Sequence, residues 1–202
     1  MKRERIKNHR LIFVISGPSG SGKTTLLKNL LRDKGLKNKL VKSISFTTRP
    51  KRSGEKDKED YFFISERRFK HKLKEKKLLE WTRYLGYYYG TPKDFLERQS
   101  HKTKHLVMCL DLNGALKVKQ LYPENTVMIF VAPPSLEILF ERIKKRCHKT
   151  EKEEIWRRLK LAKQELLASD RYDYSLVNKD LNLTVRKLKG IILKEIMYLR
   201  FS

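Results

Sequence analysis

Residues 17–24 read Gly17-Pro18-Ser19-Gly20-Ser21-Gly22-Lys23-Thr24, a G-x-x-x-x-G-K-T loop, and that spacing is phosphate chemistry. Glycines let backbone N–H groups converge on phosphate oxygens, and a helix that begins at the loop adds the positive potential of its N-terminus. Lys23 is placed to reach the outer phosphates, and the Thr24 hydroxyl to face a Mg²⁺ ion. The pattern has chemical meaning only between a strand and a helix. Residues 11–15 are a continuous apolar run with β-branched members, as a buried parallel strand should be, and residues 25–31 carry leucines at helical spacing. A glycine-rich turn that binds nothing would need neither neighbour.

The elements around this loop alternate. Strands are expected near 11–16, 105–110, 126–132 and 173–177, and helices near 23–33, 135–169 (two) and from 181 onward. Pro92 is expected to open a helix over 92–100, at the first helical position that proline tolerates. Strand–helix alternation implies a parallel sheet covered on both faces. Residues 40–94 break the rhythm. Residues 40–64 are extended and rich in Thr, Ser, Phe and Tyr, a short amphipathic helix follows near 66–76 and strand-like segments near 78–90, and the block is expected to form an inserted antiparallel lobe. The helices over 135–169 carry more arginine than a core accepts and suit a mobile flap over the phosphates.

Composition narrows the class. The 202 residues are enough for one α/β domain with an insertion. No apolar run approaches the ~20 residues of a membrane helix. The basic segment 1–10 lacks the apolar core of a signal peptide. Cys109 and Cys147 form no C-x-x-C pair, which suits a reducing compartment, so a cytoplasmic location is expected. The formal net charge is +25, from 48 Lys+Arg against 23 Asp+Glu. A nucleic-acid binder is one reading of that charge. The charge is diffuse, however, and its densest stretch, 67–77, places Phe69 and Leu73 four apart among lysines, as in an amphipathic helix with a solvated face. Nucleic-acid binding beyond non-specific charge is not favoured.

Further motifs sharpen the reading. Residues 45–61 contain Ser45-Phe46-Thr47-Thr48-Arg49-Pro50-Lys51-Arg52-Ser53-Gly54-Glu55 and then Asp60-Tyr61. Residues 80–91 run Glu80-Trp81-Thr82-Arg83-Tyr84-Leu85-Gly86-Tyr87-Tyr88-Tyr89-Gly90-Thr91. With the phosphate loop, these segments closely resemble guanylate kinases. The resemblance extends through 111–115, through Ala132-Pro133-Pro134-Ser135, through Arg142, Arg146 and Arg158, and through Tyr172-Asp173-Tyr174 to Asn178. It implies a P-loop parallel sheet flanked by helices, with a GMP-binding lobe over 43–94, a helical lid over 136–169 and a core from 10–42, 95–135 and 170–202. It also implies Mg²⁺-dependent phosphoryl transfer from ATP to GMP or dGMP. ATP would be held by Gly17, Ser19, Gly20, Ser21, Gly22, Lys23, Thr24 and Thr25, with Asn178 near its base.

The chemistry of the implied acceptor site can be read beside the resemblance. A nucleoside monophosphate carries nearly two negative charges. Arg49 and Arg52 can grip it with planar forks, and Tyr61 and Tyr89 offer hydroxyl donors. Guanine presents two neighbouring N–H donors, which one carboxylate can accept together. By similarity that carboxylate is Glu80, with Asp111 near the amino group and Ser45 and Thr91 reading the other base atoms. Such a site can discriminate by roughly 10⁴–10⁵. Lys23, Arg142, Arg146 and Arg158 would neutralise the phosphoryl group in transfer, and no general base is nominated. The lid arginines can equally pair with Glu141, Glu151 and Glu153.

Three departures from the family pattern are evident. Cys109 stands where the first aspartate of a D-x-D pair is usual. Lys58 replaces a usual glycine before Asp60-Tyr61. Cys147 and His148 occupy a glycine region of the lid, with one residue inserted before Arg158. Alternatives to the kinase are an inactive guanylate-kinase-like interaction module and a phosphokinase acting on a sugar phosphate. The module would be expected to lose Lys23, Thr24, Arg142 and Arg146, and the sugar kinase would not need Glu80 with Ser45 and Thr91.

Overall fold

The computed structural model describes residues 10–95, 104–146 and 152–201. Its core is a five-stranded parallel sheet in the order β2 (Leu40–Lys42), β7 (His105–Cys109), β1 (Ile12–Ser16), β8 (Thr126–Ala132) and β9 (Tyr174–Val177). The central strands are apolar on both faces because both faces are covered. Successive side chains alternate. Phe13 and Ile15 pack with Val107, Ile129 and Val131 against α1 (Lys23–Arg32) and α6 (Leu181–Phe201). Ile12 and Val14 pack with Leu106, Met108 and Phe130 on the opposite face, which α3 (Leu112–Leu121) covers. Truncating Phe13, which is fully buried, to Ala would cost about 3–5 kcal/mol.

The second sheet has four strands in the order β4 (Phe62–Phe63), β3 (Phe46–Thr47), β6 (Tyr87–Pro92) and β5 (Leu78–Tyr84), with α2 (Glu66–Lys74) beside it. Antiparallel pairing holds for β3–β6 and β5–β6, but β3 and β4 run parallel. The expected all-antiparallel lobe is corrected at that pair. The segment 48–61 is a crossover rather than a hairpin, as a parallel pair requires. Ser65 caps α2 by accepting from Arg68 N at 3.3 Å. Helix α3 is not among the elements expected from the sequence. It starts on Asp111, whose Oδ1 accepts from Gly114 N at 2.8 Å.

Pro92 ends β6 rather than opening a helix. Residues 93–95 are helical, and the rest of the helix expected over 92–100 lies outside the described residues. Helices α4 (Leu136–Arg146) and α5 (Lys152–Leu167) form a hairpin with a small core of its own, Leu139 and Ile143 against Ala162. Cys147, His148 and Glu151 fall outside the described residues. No helix among the described residues is long and apolar enough to cross a membrane.

Candidate active site

The carboxyl ends of the parallel strands converge on one cavity of about 710 Å³. That is where open α/β sheets place ligands. The β1 end delivers the phosphate loop, the β7 end Cys109 and Asp111, and the β9 end Asn178. Helix α1 begins at Gly22 with no side-chain cap, so its first N–H groups are left for a ligand. Gly22 itself has φ +98, and a Cβ there would lie 2.3 Å from Asn178 Nδ2. Only glycine accommodates both demands. Asn178 is tied to the loop by donating Nδ2–H to Ser21 O at 2.8 Å.

Gly17, Ser19, Gly20, Gly22, Lys23, Thr24 and Thr25 all line the cavity, with Arg142, Arg158 and Asn178. Ser21 does not; it is fully buried behind the loop, and its hydroxyl has no hydrogen-bond partner. Lys23 is folded back, donating to Gly17 O at 2.5 Å and Pro18 O at 2.9 Å. Arg142 gives Nη2–H to Asn178 O at 3.2 Å, while its buried Nη1 has no partner. Arg158 pairs with Glu154 and lies 3.5 Å from Ser19 Oγ. Glu153 pairs instead with Arg157 at 3.2 Å. Arg146 closes α4, and its side chain lies outside the described residues.

The second sheet supplies the opposite wall. Thr91 donates to Glu80 Oε1 at 2.6 Å, and its Oγ1 lies 3.2 Å from Ser45 Oγ, so three of the expected base-reading residues form one chain. Glu80 is only 4% exposed. Burial pushes its pKa up to about 7; the Thr91 bond opposes this and Asp111 adds to it. Thr91 is buried behind Glu80 and does not itself line the cavity. Gly114 packs against Glu80 from behind: a Cβ there would stand 2.7 Å from Glu80 Oε2. Asp111 lines the cavity while capping α3.

Arg49, Arg52, Tyr61 and Tyr89 meet at the far end of the same wall. Arg49 is buried. Its Nη2 forks onto Glu55 at 2.8 and 3.0 Å, and its Nε donates to Tyr89 Oη at 3.2 Å. Burial disfavours the Arg49 charge, but the bonds to Glu55 and Tyr89 outweigh it and raise its pKa. Burial raises the Tyr61 phenol well above its ordinary value, so it is a neutral donor. Glu55 also accepts from Arg52 N at 2.8 Å, fixing the turn that carries both arginines.

Lys58 keeps the turn that a glycine would favour, in the left-handed region at φ 64, with its N–H donating to Tyr61 O at 2.8 Å. The cost for a non-glycine residue there is about 1 kcal/mol. Cys109 is half-buried on the cavity lining; burial raises its thiol pKa, and the charges of Lys23 and Lys42 oppose that. It is therefore a neutral thiol.

The sequence matches the family description "Guanylate kinase" over residues 9–195. The guanylate kinase of Caldanaerobacter subterraneus is 46% identical over 94% of this chain and 90% of its own length. The chain belongs to the guanylate kinase family. The Thermotoga maritima guanylate kinase is likewise 46% identical, over 91% of this chain and 86% of that protein. Among solved structures, the guanylate kinase of Anaplasma phagocytophilum has a TM-score of 0.77 and 32% identity, covering 95% of this chain and 88% of its own. A gluconokinase from Sinorhizobium meliloti, at 14% identity and TM-score 0.51, shares the fold alone.

The cavity of this guanylate kinase family member also holds residues that sequence reasoning passed over. Glu55 lay within a motif already noted, three residues past Arg52. Tyr84 follows Glu80 and Thr82 at the two-residue period of a strand, and all three line the cavity. Glu165 follows Arg158 by seven residues, two turns along one helical face, and reaches the same space.

Proposed function

We propose that this protein transfers the γ-phosphoryl group of ATP to GMP or dGMP, giving ADP and GDP, with Mg²⁺ as the metal. The observation that carries the reading is one continuous cavity. It has an uncapped phosphate-loop helix on one wall and a buried carboxylate, hydrogen-bonded through Thr91 to Ser45, on the other. A sugar-phosphate acceptor would give that carboxylate no paired N–H donors. The resident Lys23, Arg142 and Arg158 speak against an inactive interaction module.

The residue types fit both ligands. Arg142 Nη1 is a buried cationic donor without a partner, as an anion site requires. Among the described residues no group of three or more His, Cys, Asp or Glu side chains could hold a metal. A metal would therefore draw most of its ligands from phosphates and water, as Mg²⁺ does, with Thr24 as the protein ligand. A Mg²⁺ held at Thr24 would supply charge neutralisation to the phosphates.

In this proposal Gly17, Ser19, Gly20, Gly22, Thr24 and Thr25 position the donor phosphates, Ser21 holds the loop from behind, and Asn178 lies beside the base. Lys23 exchanges the Gly17 and Pro18 carbonyls for phosphate oxygens. Arg142, Arg146 and Arg158 stabilise the charge on the moving group. Arg49, Arg52, Tyr61 and Tyr89 hold the acceptor phosphate, and Glu80, Ser45 and Asp111 read guanine, with Thr91 holding Glu80 from behind. The acceptor oxygen is already anionic, so alignment and charge neutralisation carry the reaction. The second-sheet segment 43–94 acts as the GMP-binding lobe and 136–169 as the lid, on a core of 10–42, 95–135 and 170–202. A cytoplasmic location is part of the same proposal.

A coupled ADP-release assay with GMP, AMP, UMP and ribose phosphates as acceptors tests it. GMP and dGMP should be used at least 10³-fold better than AMP. Preferential use of a ribose phosphate, or no ADP release with any acceptor, overturns it.

A further inference from the structure

Two polar groups in the cavity have no role in the reaction as proposed. Tyr84 ends β5 and Glu165 lies on α5. Tyr84 Oη and Glu165 Oε2 are both closed off from solvent, and neither has a hydrogen-bond partner. Leaving a buried phenol and a buried carboxylate oxygen unsatisfied costs about 1–3 kcal/mol each. The two groups also sense one another, since Glu165 raises the Tyr84 phenol after burial has done so.

Their elements face each other across a gap. A groove of about 510 Å³ separates the hairpin turn at Leu85, Gly86 and Tyr87 from α5 at Glu154, Arg157 and Leu161. Tyr84 directly precedes the strand side of this groove, and Glu165 directly follows its helix side, where Gln164 is the last lining residue. Narrowing the groove would bring the acceptor-side sheet onto the α4–α5 hairpin.

We propose that Glu165 is a positioning residue: its carboxylate accepts the Tyr84 hydroxyl when the second sheet and the α4–α5 hairpin approach, so that filling the acceptor site and filling the phosphate loop reinforce one another. The bond is charge-assisted, hence stronger than one between neutral groups. Glu165 is also faced by Lys23 from the phosphate loop, Asp111 at the start of α3 and Tyr172 ahead of β9, while Arg158 on the same helix acts on Tyr84. Burial and Asp111 push its pKa up to about 7, against Lys23. A phenolic donor favours the ionised form, so the latch would be set by deprotonation.

The inference rests on the guanylate kinase reading, and the experiment separates the two. GMP binding is measured by calorimetry on the full chain, alone and saturated with Mg²⁺ and a non-hydrolysable ATP analogue. The ratio of the two dissociation constants is the coupling factor. The wild type should bind GMP more tightly with the analogue present. Tyr84→Phe and Glu165→Leu should each lower the coupling factor about 5–10-fold. The double variant should lose no more than either single one, and GMP affinity without the analogue should stay within about twofold of wild type. Glu165→Gln, whose amide oxygen still accepts, should retain most of the coupling but lose its dependence on pH near 7. Tyr84→Phe removes one oxygen and keeps the test available if Glu165→Leu does not fold. Wild type that phosphorylates GMP but shows no coupling, single variants that keep it, or losses that add in the double variant overturn the inference alone. Failure of wild type to bind or phosphorylate GMP overturns the functional reading with it.

Discussion

The two walls of the cavity are prepared to different degrees. On the second-sheet wall, Glu80, Thr91 and Ser45 are already joined, and Arg49 is already held by Glu55 and Tyr89. On the phosphate-loop wall the cations are engaged elsewhere: Lys23 on the carbonyls of its own loop, Arg158 on Glu154, Arg142 half on Asn178. A base reader is fixed by its hydrogen-bond directions before the ligand arrives. Charge neutralisers can be parked on weaker partners and released when phosphates come. In the proposed reaction, specificity and rate thus rest on different kinds of interaction, and substitutions should separate them.

The largest effect is expected at Lys23. Lys23→Ala should lower turnover about 10²–10³-fold or more while circular dichroism stays that of the folded protein. Near-normal turnover would break the comparison at its donor side. Next comes Glu80→Gln, which sets one donor against guanine N–H. A loss of about 2–4 kcal/mol in kcat/KM for GMP is expected, with the KM for ATP nearly unchanged. Equal damage to both substrates would make Glu80 a structural residue.

A smaller effect follows from the protonation of Glu80. Its folded pKa of about 7 lies above the unfolded carboxylate value, so the native state holds the proton more tightly. Its contribution to stability is present below the unfolded pKa near 4.5 and is lost as pH rises to about 7, a change on the order of 3 kcal/mol. Guanine donors favour the ionised form, so GMP should bind with release of a proton below pH 7. Calorimetry in buffers of different ionisation enthalpy measures that proton, and Glu80→Gln should abolish it. An unchanged proton release in the variant would assign the titration elsewhere, the GMP phosphate included.

The smallest effect concerns Cys109. A neutral thiol does not offer metal-bound water the charged oxygen of an aspartate. Cys109→Asp should lower the Mg²⁺ concentration for half-maximal rate at saturating nucleotide. An unchanged or higher requirement in a folded variant would remove position 109 from the metal network.

Much of this was legible in the chain because the signals are local. The phosphate loop announces itself through glycine spacing between an apolar strand and a leucine-rich helix, and the parallel sheet through alternation. The misses are non-local. Helix α3 has a weak amphipathic pattern, and only its Asp111 cap marks its start. The parallel β3–β4 pair spans two residues on each strand, too few to carry a periodic signal. Pro92 suits a strand end as well as a helix start, and the sheet partner Leu78 decided between them. Glu165 looked like one more acid on a charged helix, because its neighbours across the cavity come from residues 23, 84 and 111. The reading of Arg49, Glu80 and Ser45 as one site came from resemblance; nothing in their spacing alone would join them.

The close approach of Gly114 to Glu80 has an evolutionary corollary. Gly114 leaves no room for a methyl group before the carboxylate oxygen would be met at 2.7 Å. A drift to alanine there would displace Glu80, the proposed base reader, without altering any residue proposed to face the base. Selectivity for the acceptor could thus change in descendants of this protein whose base-facing residues all look intact, and the position to inspect first would be one that never sees the nucleotide.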